Sequence, residues 1–142
     1  MGMTAGTDKV IRNLQYWIAT AGVTPTVGQN FAALFDSSGA RMANVGIDAA
    51  VTATGLRSET LTVPLPQPAL GDFLVMALLF NAGTLPSLAR GSNLGGALYN
   101  VGLSPSQYRF ATAGTGLTAM PASLNLASNA LAPFAIWAAL GN

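Results

Sequence analysis

Sixteen glycines and eight prolines, many of them in clusters, punctuate this chain roughly every eight to twelve residues. A helix bundle needs longer uninterrupted runs with apolar positions three and four apart. Between these breaks the residues instead alternate with the period of a strand. That rhythm points to an all-β sandwich or barrel, built from antiparallel strands and tight turns.

Asn13 to Thr20 sets Leu14, Tyr16 and Ile18 on one face and Asn13, Gln15 and Trp17 on the other. Val23 to Gly28 reads as a turn region, and Asn30 to Phe35 as a strand with Phe31, Ala33 and Phe35 on one side. Asp36-Ser37-Ser38-Gly39 is a hairpin signal, followed by a returning strand from Ala40 to Val45. Asp48 is expected to cap a short helical turn that ends at Gly55. Ser58 to Leu65 would then turn Leu61, Val63 and Leu65 inward and Thr60 and Thr62 outward, before Pro64-Leu65-Pro66-Gln67-Pro68 closes it. Asp72 to Asn81 is apolar on both faces. Period alone leaves a buried helix open there, but its length and flanking turns favour a strand covered on both sides. Tyr108–Ala111, Leu117–Met120 and Phe134–Leu140 read as the last strands. The final one has Phe134, Ile136, Ala138 and Leu140 on one face and Trp137 on the other. Residues 1–11 read as a short N-terminal arm and residues 12–142 as a single β-sandwich domain.

Charge narrows the setting. Only 8% of the 142 residues are ionic, against about 25% in an ordinary soluble domain, while 51% are hydrophobic. Such a chain lives in a membrane, is solubilised by neutral polar side chains, or is covered by other subunits. Its densest apolar run, Phe73 to Phe80, is far short of the ~20 residues a spanning helix requires. Asp8, Lys9 and Arg12 are not followed by the apolar stretch of a secretory signal. Lys9, Arg12, Arg41, Arg57, Arg90 and Arg109 lie far apart, with a net charge of +1, and supply no stripe for nucleic acid. Burial between subunits is the expectation that remains.

Catalytic chemistry finds little to work with. The absence of histidine and cysteine removes the usual general base, the thiolate nucleophile and the common zinc ligands. No serine triad forms without a base, and Lys9 sits in the arm. Gly114 to Ala119 loosely matches a dinucleotide loop, but no helix and no βαβ unit surround it. The acids each have a local backbone task in prospect: Asp36 in a hairpin, Asp48 at a helix start, Asp72 at a turn. Arg57 and Glu59, two apart on a strand, project to one face as a surface pair or a cross-subunit contact. No calcium-loop spacing is present. The expectation is a protein that is not an enzyme and carries no cofactor and no metal. Arg109, between Tyr108 and Phe110, either anchors an interface or points to solvent opposite an inward Tyr–Phe pair. Tyr16, Trp17, Tyr99, Tyr108 and Trp137 read as core aromatics first and as a sugar-stacking platform second.

Four segments occur in a set order: NFAALFDSSGARMA (30–43), FLVMALLFNAGTLPSLARG (73–91), YRFATAGTGLTAMPASL (108–124) and FAIWAALG (134–141). In that order they resemble the β-sandwich domain of minor tail proteins, fibres and related virion-surface proteins of tailed phages, particularly those of actinobacteria. The resemblance runs from about Leu14 to Leu140. It implies a jelly-roll-like sandwich that assembles as a homotrimer on the virion surface, after assembly in the host cytoplasm, with no catalytic residues. In fibres the domain follows a longer attachment region. Here it starts close to Met1, so the expected role is a capsid decoration or cement protein contacting major capsid or tail proteins. The alternative is a tail fibre or minor tail domain that binds host-surface glycans. A third possibility is an enzyme cutting cell-wall polysaccharide through two of the acids. The subunit interface is expected at Tyr108, Arg109, Phe134 and Trp137, on the second faces of Phe73–Phe80 and Phe134–Leu140.

Overall fold

Strand β1 (Val10–Thr20) organises the first sheet, and its alternation is the reason. Leu14, Tyr16 and Ile18 are fully buried on one face while Trp17 stands outward. A computed structural model describes residues 10–66, 69, 72–91, 100–132 and 134–142 of the chain. In it β1 pairs along one side with β5 (Gly55–Pro66). Its other side is shared between β11 (Ala138–Gly141), which takes residues 13 to 16, and β8 (Ser87–Leu88), which takes residues 18 to 20. Val10 and Ile11 already belong to this strand, and Ile11 is core. The rest of the expected arm lies outside the described residues.

The second sheet is centred on β3 (Phe31–Phe35), flanked by β4 (Arg41–Gly46) and β6 (Val75–Leu79). All its pairings are antiparallel, from Phe31 opposite Leu79 to Phe35 opposite Val75. Ala32, Ala33, Leu34 and Phe35 are fully buried, because both faces of this sheet are covered. Ala32 and Leu34, with Met76, Leu78 and Phe80, join the cluster of Ile11, Leu14, Tyr16 and Ile18. Ala33 and Phe35, with Val75, Ala77 and Leu79, meet Met120, Leu124 and Leu126 from the later part of the chain. Apolar runs that lack alternation thus mark the strands with two buried faces. Tyr16 and Phe80 meet edge to face, ring centroids 6.3 Å apart.

Two small ladders complete the described strands. β2 (Val23–Pro25) pairs with β7 (Ala82–Thr84), and β9 (Ala111–Thr112) with β10 (Ala130–Leu131). A four-residue helix, α1 (Asp48–Val51), is the only α-helix among the described residues. The fold is all-β.

Several expectations need correction. Val23–Pro25, read as turn, is a short strand. Leu117–Met120 forms no strand, because its carbonyls are claimed by side chains: Asn81 Nδ2 donates to the Leu117 carbonyl at 2.8 Å, and the Arg41 guanidinium donates to that of Met120. Tyr108 is not in a strand either. Ser104 and Gln107 form a capping box that starts a 3-10 turn over Pro105–Gln107, and β9 begins only at Ala111. Of Phe134–Leu140, only residues from Ala138 onward are strand, with Ile136 in a lone bridge to Arg90. Val63 is 69% exposed rather than inward. The β1–β5 register jumps from Ile11 opposite Leu65 to Asn13 opposite Thr60, so alternation does not carry through Leu61–Pro64.

Candidate functional site

The four expected interface residues fall on two different surfaces. Tyr108, Arg109 and Phe134 line a cleft of about 540 Å³ beside β6, with Val75, Ala77 and Phe110 among its walls. Trp137 lies elsewhere, on a shallow depression shared with Trp17, Leu56, Ala89, Arg90 and Gly91. Around Arg109 burial alternates, with Tyr108 and Phe110 half-buried and Arg109 exposed. An arginine exposed in a single copy is open both to solvent and to a neighbouring chain, so this alternation fits both readings of Arg109. The backbone N–H of Arg109 donates to Asn100 Oδ1 at 2.7 Å, and Asn100 Nδ2 to the Phe110 carbonyl at 2.9 Å. The arginine that does meet an aromatic ring is Arg90, whose guanidinium carbon lies 5.1 Å from the Phe134 ring centre.

Each described carboxylate has a structural partner. Asp36 Oδ1 accepts from the Ser38 hydroxyl and from the N–H groups of Ser38 and Ala40, closing the hairpin as expected. These bonds, the Ser38 hydroxyl foremost, hold its pKa below the usual carboxylate range. Asp72 accepts from the Ala69 N–H at 2.8 Å. Asp48 departs from its expected role. Ile47 holds the cap position of α1 and no side chain caps it, whereas Asp48 reaches back to accept from the Gly28 N–H at 2.7 Å and from Asn30 Nδ2 at 2.8 Å. The Gly28 bond first and the Asn30 bond second lower its pKa.

Arg57 and Glu59 also part company. Both lie on the β5 face shared with Leu14 and Tyr16. Glu59 accepts the Tyr16 hydroxyl at 2.9 Å, while Arg57 donates to the carbonyls of Leu56 and Thr54. Burial chiefly, then the Glu59 charge and its hydrogen bond, push the Tyr16 pKa upward. The phenol therefore stays a donor. Among the described residues no group of three Asp, Glu, His or Cys is placed to hold a metal ion, and no helix is long and apolar enough to cross a membrane. Tyr99 lies outside the described residues, as does the acid Asp8.

The residue that the sequence reading passed over is Asn30. It is fully buried and fully used. Nδ2 donates to the Thr26 carbonyl and to Asp48, and Oδ1 accepts the Asn81 N–H at 2.7 Å. Asn81 in turn ties the Gln29 and Leu117 carbonyls. The signal was present: an asparagine abuts each of two apolar runs that become neighbouring strands.

The outward face of the first sheet is the most unusual surface. Across its rows Asn13 stands beside Thr60 and Gly141, Gln15 beside Ser58 and Ala139, and Trp17 beside Leu56. Thr60 Oγ1 donates to Asn13 Oδ1 at 3.0 Å. These rows contain no charge. At their end Trp17 and Trp137 are 45% and 46% exposed and Leu56 is 45% exposed. Compared with family models, with curated proteins and with solved structures, the chain matches none.

Proposed function

We propose that the protein is a non-catalytic structural subunit, a jelly-roll-like sandwich that assembles as a homotrimer and sits on the exterior of a phage virion as a capsid decoration protein. The observation that carries the structural role is the set of outward rows from Asn13 to Trp17 on β1, which hold no ionic side chain and end in two half-exposed tryptophans and Leu56. An isolated soluble domain keeps such a face charged and free of large apolar groups. Here the carboxylates are instead spent on backbone donors and Tyr16. The cluster between the first sheet and the β4–β3–β6 sheet supports the sandwich reading. The virion location rests on the resemblance of the four ordered segments alone.

The glycan-binding alternative draws less from the geometry. A sugar stacked on Trp17 or Trp137 brings hydroxyls that need partners, and among the described residues the only charged or hydrogen-bonding side chain lining the depression besides the two indoles is Arg90. Sedimentation equilibrium of the purified chain tests the subunit role, with a mass of three copies as the expected result. Density for the chain on the outer shell of an intact particle tests the location. A monomer at every concentration, with no binding to shells, overturns the proposal.

A further inference from the structure

Strands β3 and β6 are equally apolar but unequally buried. Ala32 to Phe35 of β3 are fully buried, whereas every residue of β6 from Val75 to Leu79 is only partly so. The difference is a missing neighbour. β3 has a strand on each side, while β6 ends the sheet and no described strand pairs with its outer side.

The direction of the β6 backbone groups follows from bonds at the two ends of β3. Residues along a strand send N–H and C=O alternately to one side and the other. The carbonyl of Asn30, just before β3, accepts the Ile47 N–H from the β4 side, and the N–H of Asp36, just after it, donates to Ala40 on that same side. Residues 31, 33 and 35 therefore turn their backbone groups toward β6, where their partners are Leu79, Ala77 and Val75. Met76 and Leu78 are left pointing N–H and C=O away from the sheet, and no described residue bonds them.

That open edge is one wall of the cleft of about 540 Å³ beside β6. Odd and even residues alike, Val75 through Leu79, line it, which requires the space to run along the edge of the strand rather than over one face. Asn129 lines it as well. Its Nδ2 donates to the Pro105 carbonyl at 3.2 Å, which fixes the orientation of the amide, and its Oδ1 is buried with no partner. A row of free N–H and C=O groups and an orphaned acceptor call for an occupant that offers both kinds of group at strand spacing. A small apolar molecule would leave them unpaired. Among the described lining residues the only ionic one is Arg109, which is exposed at the mouth.

We propose that this cleft takes an extended peptide segment of another protein, added to the sheet as the strand beside β6. The segment is apolar on both faces, because the sheet it extends is covered on both, and it brings a carboxylate rather than a basic group to Arg109. Backbone pairing supplies the affinity and the flanking apolar clusters the selection. The inference goes beyond the self-assembly reading and does not rest on it: the sedimentation mass can take either value without touching this site.

Amide hydrogen exchange of the full chain reads the edge directly. Ala77 and Leu79 are expected to be protected, and Met76 and Leu78 to exchange at least about 10-fold faster. The probe is the peptide acetyl-AVLAV with a free carboxylate, titrated by NMR. Its binding is expected to slow exchange at Met76 and Leu78 and to leave Ala77 and Leu79 unchanged. Methylating alternate peptide nitrogens removes the donors of one peptide edge and keeps every side chain. Of the two such analogues, one is expected to lose at least about 10-fold in affinity and the other to keep most of it. Ala113→Trp, at an exposed position of the cleft wall, is expected to stay folded by circular dichroism and to weaken binding at least about 10-fold. Arg109→Gln is expected to weaken binding of the free acid about threefold and that of the peptide amide not at all. Protection of Met76 and Leu78 before any peptide is added overturns the inference, since the chain or a second copy then covers the edge. Equal binding of the parent peptide and both methylated analogues, binding undiminished in folded Ala113→Trp, or no binding at millimolar peptide overturns it too.

Discussion

Asn30 shows how one buried polar side chain holds three segments. It joins the turn before β3, the first turn of α1 and the residue before β7, with every polar atom matched. Removing it strands the Asn81 N–H, takes one partner from Asp48 and leaves the Thr26 carbonyl with the Gln29 N–H alone. Asn30→Ala is expected to cost about 2 kcal/mol, since a buried polar group left unpaired costs about 1–3 kcal/mol. Urea unfolding measures this through the midpoint. Asp48 adds a pH dependence of known sign. Its folded pKa lies below its unfolded value, so between the two the unfolded chain binds more protons and acid favours unfolding. The contribution is full above the ordinary carboxylate pKa of about 3.9 and is lost as pH falls through the depressed folded value. Asp36 acts in the same direction. Thermal melts of Asp48→Asn are expected to show a weaker dependence on pH below about 5 than the wild type. An unchanged slope would assign the acid sensitivity to other groups.

At the scale of elements, the Asp36–Gly39 hairpin does more than reverse the chain. Leu124 donates its N–H to the Gly39 carbonyl at 2.8 Å, and Arg41 donates to the Ala122 carbonyl at 2.9 Å. These bonds lay residues 122–124 along the hairpin end of β4 and bring Met120, Leu124 and Leu126 over the second face of β3. Gly39 has φ of +86°, and a side chain there would overlap the Leu124 carbonyl. Gly39→Ala is therefore expected to cost more than about 2 kcal/mol, combining left-handed backbone strain with the lost close approach. Chemical denaturation measures that cost. Faster hydrogen exchange at Leu124 than at β1 would locate the opening.

Strand existence was readable wherever the pattern was local. The β1 alternation, the β3 strand and the two-faced apolar run of β6 appear where period, length and flanking turns placed them, although β3, read with one apolar side, is buried on both. Readability failed where distant partners decide. Val63 turns out because the β1–β5 register jumps, and Leu117–Met120 is irregular because Asn81 and Arg41 take its carbonyls. The candidate site follows the same rule. That Trp137 lacks a polar pattern around it is visible in the chain. That it shares a depression with Trp17 depends on Ala89 threading between two residues 120 positions apart, which no local pattern encodes.

For the whole molecule, the use of charge matters more than its amount. The described acids are committed to turns, to Asn30 or to Tyr16. Arg41 and Arg57 are committed to backbone carbonyls and Arg90 to a ring. Electrostatics therefore maintains the fold of the single chain, and under the proposed self-assembly the attraction between copies would fall to apolar surface. This distinction has a measurable consequence. An interface held by ion pairs weakens as salt shortens the screening length from about 14 Å to about 3 Å, between about 0.05 and 1 M sodium chloride. A contact made chiefly by the exposed Trp17, Leu56 and Trp137 has little charge to screen. Its self-association constant is expected to stay level across that range and to rise in sulfate, which strengthens apolar burial. Calorimetry is expected to give a negative heat-capacity change on association. Dissociation by sodium chloride would place the contact at the exposed arginines instead, with Arg12 and Arg109 the first to substitute.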